Sequence, residues 1–146
     1  MIVTGDEEAA AELLRSAINL NPDLQEPRIN LANLEARRGE RRVAISRYLD
    51  IIKDFPDSAD AHYNLAVTVA LEGDHLSAEK YYRDTIRLNP GRADANYNLA
   101  LLLRERGDEK GSRAYLLNTL RIDPEFKGAR EALERIEVGT TNVMKE

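Results

Sequence analysis

Four of the five prolines, Pro22, Pro56, Pro90 and Pro124, stand 34 residues apart, and so do four of the eight glycines, Gly5, Gly39, Gly73 and Gly107. The two series interleave, leaving about sixteen residues without a breaker between each glycine and the next proline, and again between that proline and the next glycine. Each half period is long enough for one helix. Every one of these glycines precedes an acidic residue: Asp6, Glu40, Asp74 or Asp108. Glycine can close a helix in a left-handed conformation, and an acid favours the N-terminus of the helix that follows. Proline lacks a backbone donor and discourages helix in the residue before it, so it marks the other end of the hairpin. The repeating unit is therefore a pair of antiparallel helices.

Superposing the periods gives the packing columns. In the first helix of each unit these are Leu31, Leu65, Leu99 and Leu133, followed by the small Ala32, Ala66 and Ala100. In the second they are Ala10, Ala44, Ala78 and Ser112; Leu14, Tyr48, Tyr82 and Leu116; and Ile18, Ile52, Ile86 and Leu120. Offsets of four put each set on one helical face. One hairpin cannot bury that face alone, so neighbouring units must stack. The expected fold is an all-α solenoid of stacked antiparallel hairpins with about eight helices.

The 34-residue period, the Tyr-Asn-Leu-Ala stretches at Tyr63 to Ala66 and Tyr97 to Ala100, the Gly-Asp turns, the alanine column and the closing Asn89-Pro90 and Asp123-Pro124 resemble the tetratricopeptide repeat. The resemblance covers residues 1–138 and implies that the α-solenoid is right-handed. It divides them into a half repeat at 5–24, full repeats at 25–58, 59–92 and 93–126, and a C-terminal capping helix at 127–138, with a flexible tail at 139–146. Arg28, His62 and Asn96 depart from it, standing where a bulky apolar residue is usual, and Ser112 replaces an alanine. The half repeat lacks the helix that would cover Leu13, Leu14 and Ile18. A fragment of a longer array is the favoured expectation; cover by a second copy of the chain, or by a folded-back N-terminus, is the alternative.

The resemblance implies a protein-interaction scaffold, in which the first helices line a concave surface that takes an extended peptide or a partner helix. On that surface Asn30, Asn64 and Asn98 recur immediately before the leucine column. A side-chain amide both donates and accepts, so a row of amides can pair with the backbone of an extended chain without reading its side chains. The row resembles the asparagine ladder lining the repeat domain of O-GlcNAc transferase. Ile29, Tyr63 and Tyr97 lie beside it, and Asn33, Val67 and Leu101 one turn further on. These residues are expected to contact ligand side chains, unless neighbouring helices cover them. The family's carboxylate clamp needs Lys and Asn on the first repeat, Asn on the second, and Lys and Arg on the third. This chain offers Ile29 and Asn33, Asn64, then Asp94 and Asn98, so the three cations are missing and acidic tails lose their charged partners.

Charge runs along the same surface, with Glu26, Asp60 and Asp94 near the starts of the first helices, Arg37, Arg38, Arg41 and Arg42 around Gly39, and Arg104 and Arg106 near Gly107. Acids favour helix N-termini and bases C-termini whatever the function; the functional alternative is that this polarity orients a charged peptide or contacts another subunit. Twenty-one basic against twenty-six acidic residues give a net charge of -5, which argues against nucleic acid as a partner. No apolar run approaches the roughly 20 residues of a membrane span, and no secretory signal is legible, so a cytoplasmic location without membrane insertion is expected. With no cysteine, two histidines on different helices and no phosphate-binding loop, no enzyme activity, metal or cofactor is expected. Two alternatives to peptide binding are self-association through the half repeat, giving a homo-oligomer, and service as the targeting arm of a larger enzyme.

Overall fold

The computed structural model describes residues 5–143, and side chains for residues 5–137. Among the described residues the secondary structure is helical throughout: α1 Gly5–Leu20, α2 Gln25–Arg37, α3 Arg41–Asp54, α4 Ala59–Leu71, α5 His75–Leu88, α6 Ala93–Glu105, α7 Glu109–Ile122 and α8 Lys127–Val143. The last helix corrects one expected boundary. α8 continues five residues past the 127–138 cap, because Gly139 costs only about 1 kcal/mol within a helix and no proline follows to stop it. Met1–Thr4 and residues 144–146, the end of the expected tail, lie outside the described residues.

The periodic glycines act as expected at three of four positions. Gly39, Gly73 and Gly107 have φ of 86°, 86° and 83°, a region that a Cβ would strain. Each of the three closes its helix in the same way. The Gly39 amide donates to the Ala36 carbonyl and the Glu40 amide to the Glu35 carbonyl, a pairing that satisfies two of the last free carbonyls. Gly5 instead opens α1. Of the acids that follow, Asp74 and Asp108 accept the amides of Ser77 and Gly111 and so cap α5 and α7, whereas the longer Glu40 makes no side-chain cap.

The chain forms two compact units, one ending at Tyr81 and the other beginning at Tyr82. In the first unit, Ala11 of α1 is buried with Leu31 and Leu34 of α2, and Ala10, Leu14 and Ile18 pack against them. α2 thus covers one stripe of α1, while Leu13 and Leu20 remain 72% and 88% exposed. Ala44, Tyr48 and Ile51 of α3 and Ala61, Leu65 and Ala66 of α4 are buried. In the second unit, Ala100, Leu116, Ala129, Ala132 and Leu133 form the core, flanked by Tyr97, Tyr115, Leu120, Phe126 and Ile136.

Of the departures from the repeat pattern, Arg28, His62 and Asn96 have a common explanation, shared by Arg130 one period after Asn96, whereas the buried Ser112 hydroxyl has no hydrogen-bond partner among the described residues. Arg28 donates to the Pro22 carbonyl at 3.5 Å and Arg130 to the Pro124 carbonyl at 2.6 Å; His62 Nε2 lies 3.2 Å from the Pro56 carbonyl. A carbonyl can only accept, so this His62 nitrogen carries the proton. Asn96 donates instead to the Arg92 carbonyl at 2.9 Å. In each case a polar side chain satisfies a carbonyl in, or next to, the turn before its own helix.

Candidate functional site

In the first unit, α2 and α4 line a groove made of two adjoining hollows. One, of about 440 Å³, is lined by Gln25, Glu26, Ile29, Asn30, Asn33, Asp60 and Asn64. The other, of about 550 Å³, is lined by Asn33, Ala36, Arg37, Arg41, Tyr48, Asn64, Val67, Thr68 and Leu71. Asn33 and Asn64 belong to both hollows and join them.

The asparagines differ in how far their amides are already used. Asn30 is exposed and Asn64 half-buried, and neither side-chain amide has a hydrogen-bond partner among the described residues. The Asn64 backbone carbonyl, not its side chain, accepts from the Thr68 hydroxyl at 2.7 Å. Asn33 Oδ1 accepts from the Tyr48 hydroxyl at 2.6 Å, which fixes the amide and leaves its NH₂ without a hydrogen-bond partner among the described residues. Tyr48 itself is 1% exposed. Burial pushes its hydroxyl pKa up to about 12, an effect partly offset by the neighbouring Thr68 and reinforced by the Glu35 carboxylate. Glu35 is buried and accepts from Arg47 Nε at 2.5 Å, so a second polar link ties α2 to α3 beneath the groove.

The other expected contact residues are placed unequally. Val67 lines the groove half-buried, and Ile29 reaches it only at an edge because it is 7% exposed. Tyr63 is half-buried and already engaged with a partner. In the second unit, Asn98 is half-buried and engaged, and Leu101 is half-buried on α6. The Tyr97 ring packs on Phe126 with centroids 4.9 Å apart, and a Cβ on Gly128 would lie 2.8 Å from its hydroxyl. Tyr97 therefore has the α8 segment over it where an open floor was one expectation.

The basic rim is also reduced. Arg38, with its side chain 6% exposed, pairs with Glu8 at 3.1 Å and lies 3.8 Å from Glu7, so it clips α1 to the end of α2. Arg41 pairs with Glu72 at 3.2 Å. Arg37 is exposed and makes no ion pair among the described residues. In the second unit Asp94 is taken by Arg92 at 3.0 Å. Sequence reasoning placed Tyr48 in a packing column and missed its hydroxyl as the support of Asn33. The legible signal was a phenol in a column where Leu14 and Leu116 serve elsewhere, since a buried hydroxyl needs a partner.

Among the described residues, no three or more His, Cys, Asp or Glu side chains come together to hold a metal ion, and no helix is long and apolar enough to cross a membrane.

The family described as tetratricopeptide repeat matches residues 29–89 and 72–126. A crystal structure of MamA is similar with a TM-score of 0.83 at 23% identity, over 94% of this chain and 80% of that one. A MamA RS-1 double mutant is similar at 0.81 and 18%, over 94% and 77%. YrrB, described as a tetratricopeptide repeat protein with an unusual peptide-binding site, is similar at 0.75 and 16%, over 88% and 66%. These likenesses establish the fold, an all-α solenoid of helical hairpins. No curated protein matches the sequence.

Proposed function

Because the chain belongs to the tetratricopeptide repeat family, we propose that it is a protein-interaction scaffold that holds an extended peptide in the α2–α4 groove. The observation that carries this reading is the pair of amides, Asn30 and Asn64, lining one groove without partners of their own. In water such amides cost nothing; against a peptide backbone each replaces the hydrogen bonds that the ligand loses on burial. Asn33, steadied by Tyr48, adds donors between them, and Ala36, Val67 and Leu71 supply apolar surface. The peptide-binding site reported for YrrB, a protein of the same fold, agrees with this use of it.

The test is binding to an array of acetylated, amidated nonapeptides, comparing the wild type with Asn30→Ala/Asn64→Ala and with a triple variant adding Asn98→Ala. At about 1 kcal/mol per hydrogen bond, the double variant should bind selected peptides at least about fivefold more weakly, with its thermal midpoint unchanged. Equal binding by all three proteins removes the ladder.

A second reading, self-association through α1, is favoured by the exposure of Leu13 and Leu20. Light scattering across a concentration series decides it. A dimer lost in Leu13→Glu/Leu20→Glu supports self-association, and a monomer at all concentrations counts against it.

A further inference from the structure

Resting on the groove reading above, we infer that the α2–α4 groove selects an internal peptide segment with opposite charges at its two ends. A Lys or Arg side chain sits at the Glu26 and Asp60 end, an apolar side chain lies over Ala36, Val67 and Leu71, and an Asp or Glu side chain meets Arg37. The preference of acids for helix N-termini and bases for C-termini explains the signs of these charges. It does not explain which of them remain available on the groove. Arg38 is spent on Glu7 and Glu8, and Arg41 on Glu72. Arg37 lines the groove, is exposed and is without an ion pair among the described residues. At the other end Glu26 is exposed and lines the same groove as Asp60. The exposed Glu26 carboxylate at one end and the exposed Arg37 guanidinium at the other make the groove polar along its length, and ligand charges of the wrong sign are rejected at both ends.

The spacing sets the register. Glu26 and Arg37 are eleven residues apart on one helix, a rise of about 16 Å, which an extended peptide covers in about five residues. Leu71 is 63% exposed and shares the Arg37 hollow with Val67 and Ala36, so the apolar ligand residue lies next to the acidic one. A side-chain carboxylate is favoured over a chain terminus because Arg37 is a single exposed guanidinium. It suits a solvated ion pair, whereas a terminal carboxylate calls for several converging donors.

The array of capped nonapeptides described above tests this in the intact chain. Wild type should select sequences carrying a base and an acid about five residues apart, with Leu, Ile, Phe or Val next to the acid. Arg37→Glu should weaken those peptides about tenfold at low salt, with the difference shrinking as salt rises. It should also bind the same peptides with the acid changed to Lys better than wild type does, a gain that a misfolded variant cannot produce. If selected peptides lack the charge pair and Arg37→Glu leaves them unchanged while Asn30→Ala/Asn64→Ala abolishes binding, the charge inference falls and the groove reading stands. Binding that requires a free C-terminus also overturns the inference. Binding that Asn30→Ala/Asn64→Ala does not alter removes the groove reading and the inference with it.

Discussion

At the scale of single residues, Tyr48 decides most. Its hydroxyl lies in the core yet is bonded to Asn33, a residue of the groove, so one side chain couples packing to the proposed binding surface. Tyr48→Phe leaves Asn33 Oδ1 without that donor and should cost about 1 kcal/mol in urea unfolding while weakening peptide binding. The raised pKa gives a second readout. The folded value, about 12, lies above the ordinary 10, so the unfolded chain releases this proton first. Stability from this group is fully present below pH 10 and is lost as pH rises through 12, at no more than about 1.4 kcal/mol per pH unit. Tyr48→Phe should flatten that alkaline loss; an unchanged slope would mean another group causes it. His62 and Arg28 are a second lesson at this scale: both looked like flaws in an apolar column, and both hold a prolyl carbonyl.

At the scale of elements, α8 shows how a local preference is overruled. In an open helix, Gly→Ala gains about 1 kcal/mol. At Gly128 the new methyl would stand 2.8 Å from the Tyr97 hydroxyl and 2.9 Å from its ring carbon Cζ, and the ring is held by Phe126. Gly128→Ala should therefore lower the thermal midpoint. A rise would show that Tyr97 moves aside freely. The helices and their turns were legible from the period of glycine and proline, since a turn needing φ near 86° is set by the residue in it. The extension of α8 past Val138 was not, because a single Gly139 is too weak a signal to end a helix.

At the scale of the whole molecule, a repeat array holds together by nearest-neighbour contacts, so damage should stay near its origin. Leu116 is fully buried in the core shared by α6, α7 and α8. Leu116→Ala should cost about 2–5 kcal/mol, read as faster amide exchange in those three helices before α1 to α4. Equal acceleration throughout would mean one global unfolding unit.

The sequence by itself determined the hairpin period, the turn glycines, the large and small packing columns and the asparagine row. These follow from backbone preferences and apolar spacing within a few residues, and a 34-residue repeat states each of them several times. Only the tertiary structure decided which polar and aromatic groups are still free to bind. Arg38 is taken by Glu7 and Glu8 from about thirty residues away, Asn33 is held by Tyr48 fifteen residues on, and Tyr97 is covered by Phe126. A side chain's availability depends on what the folded chain brings against it, and periodicity carries no record of that.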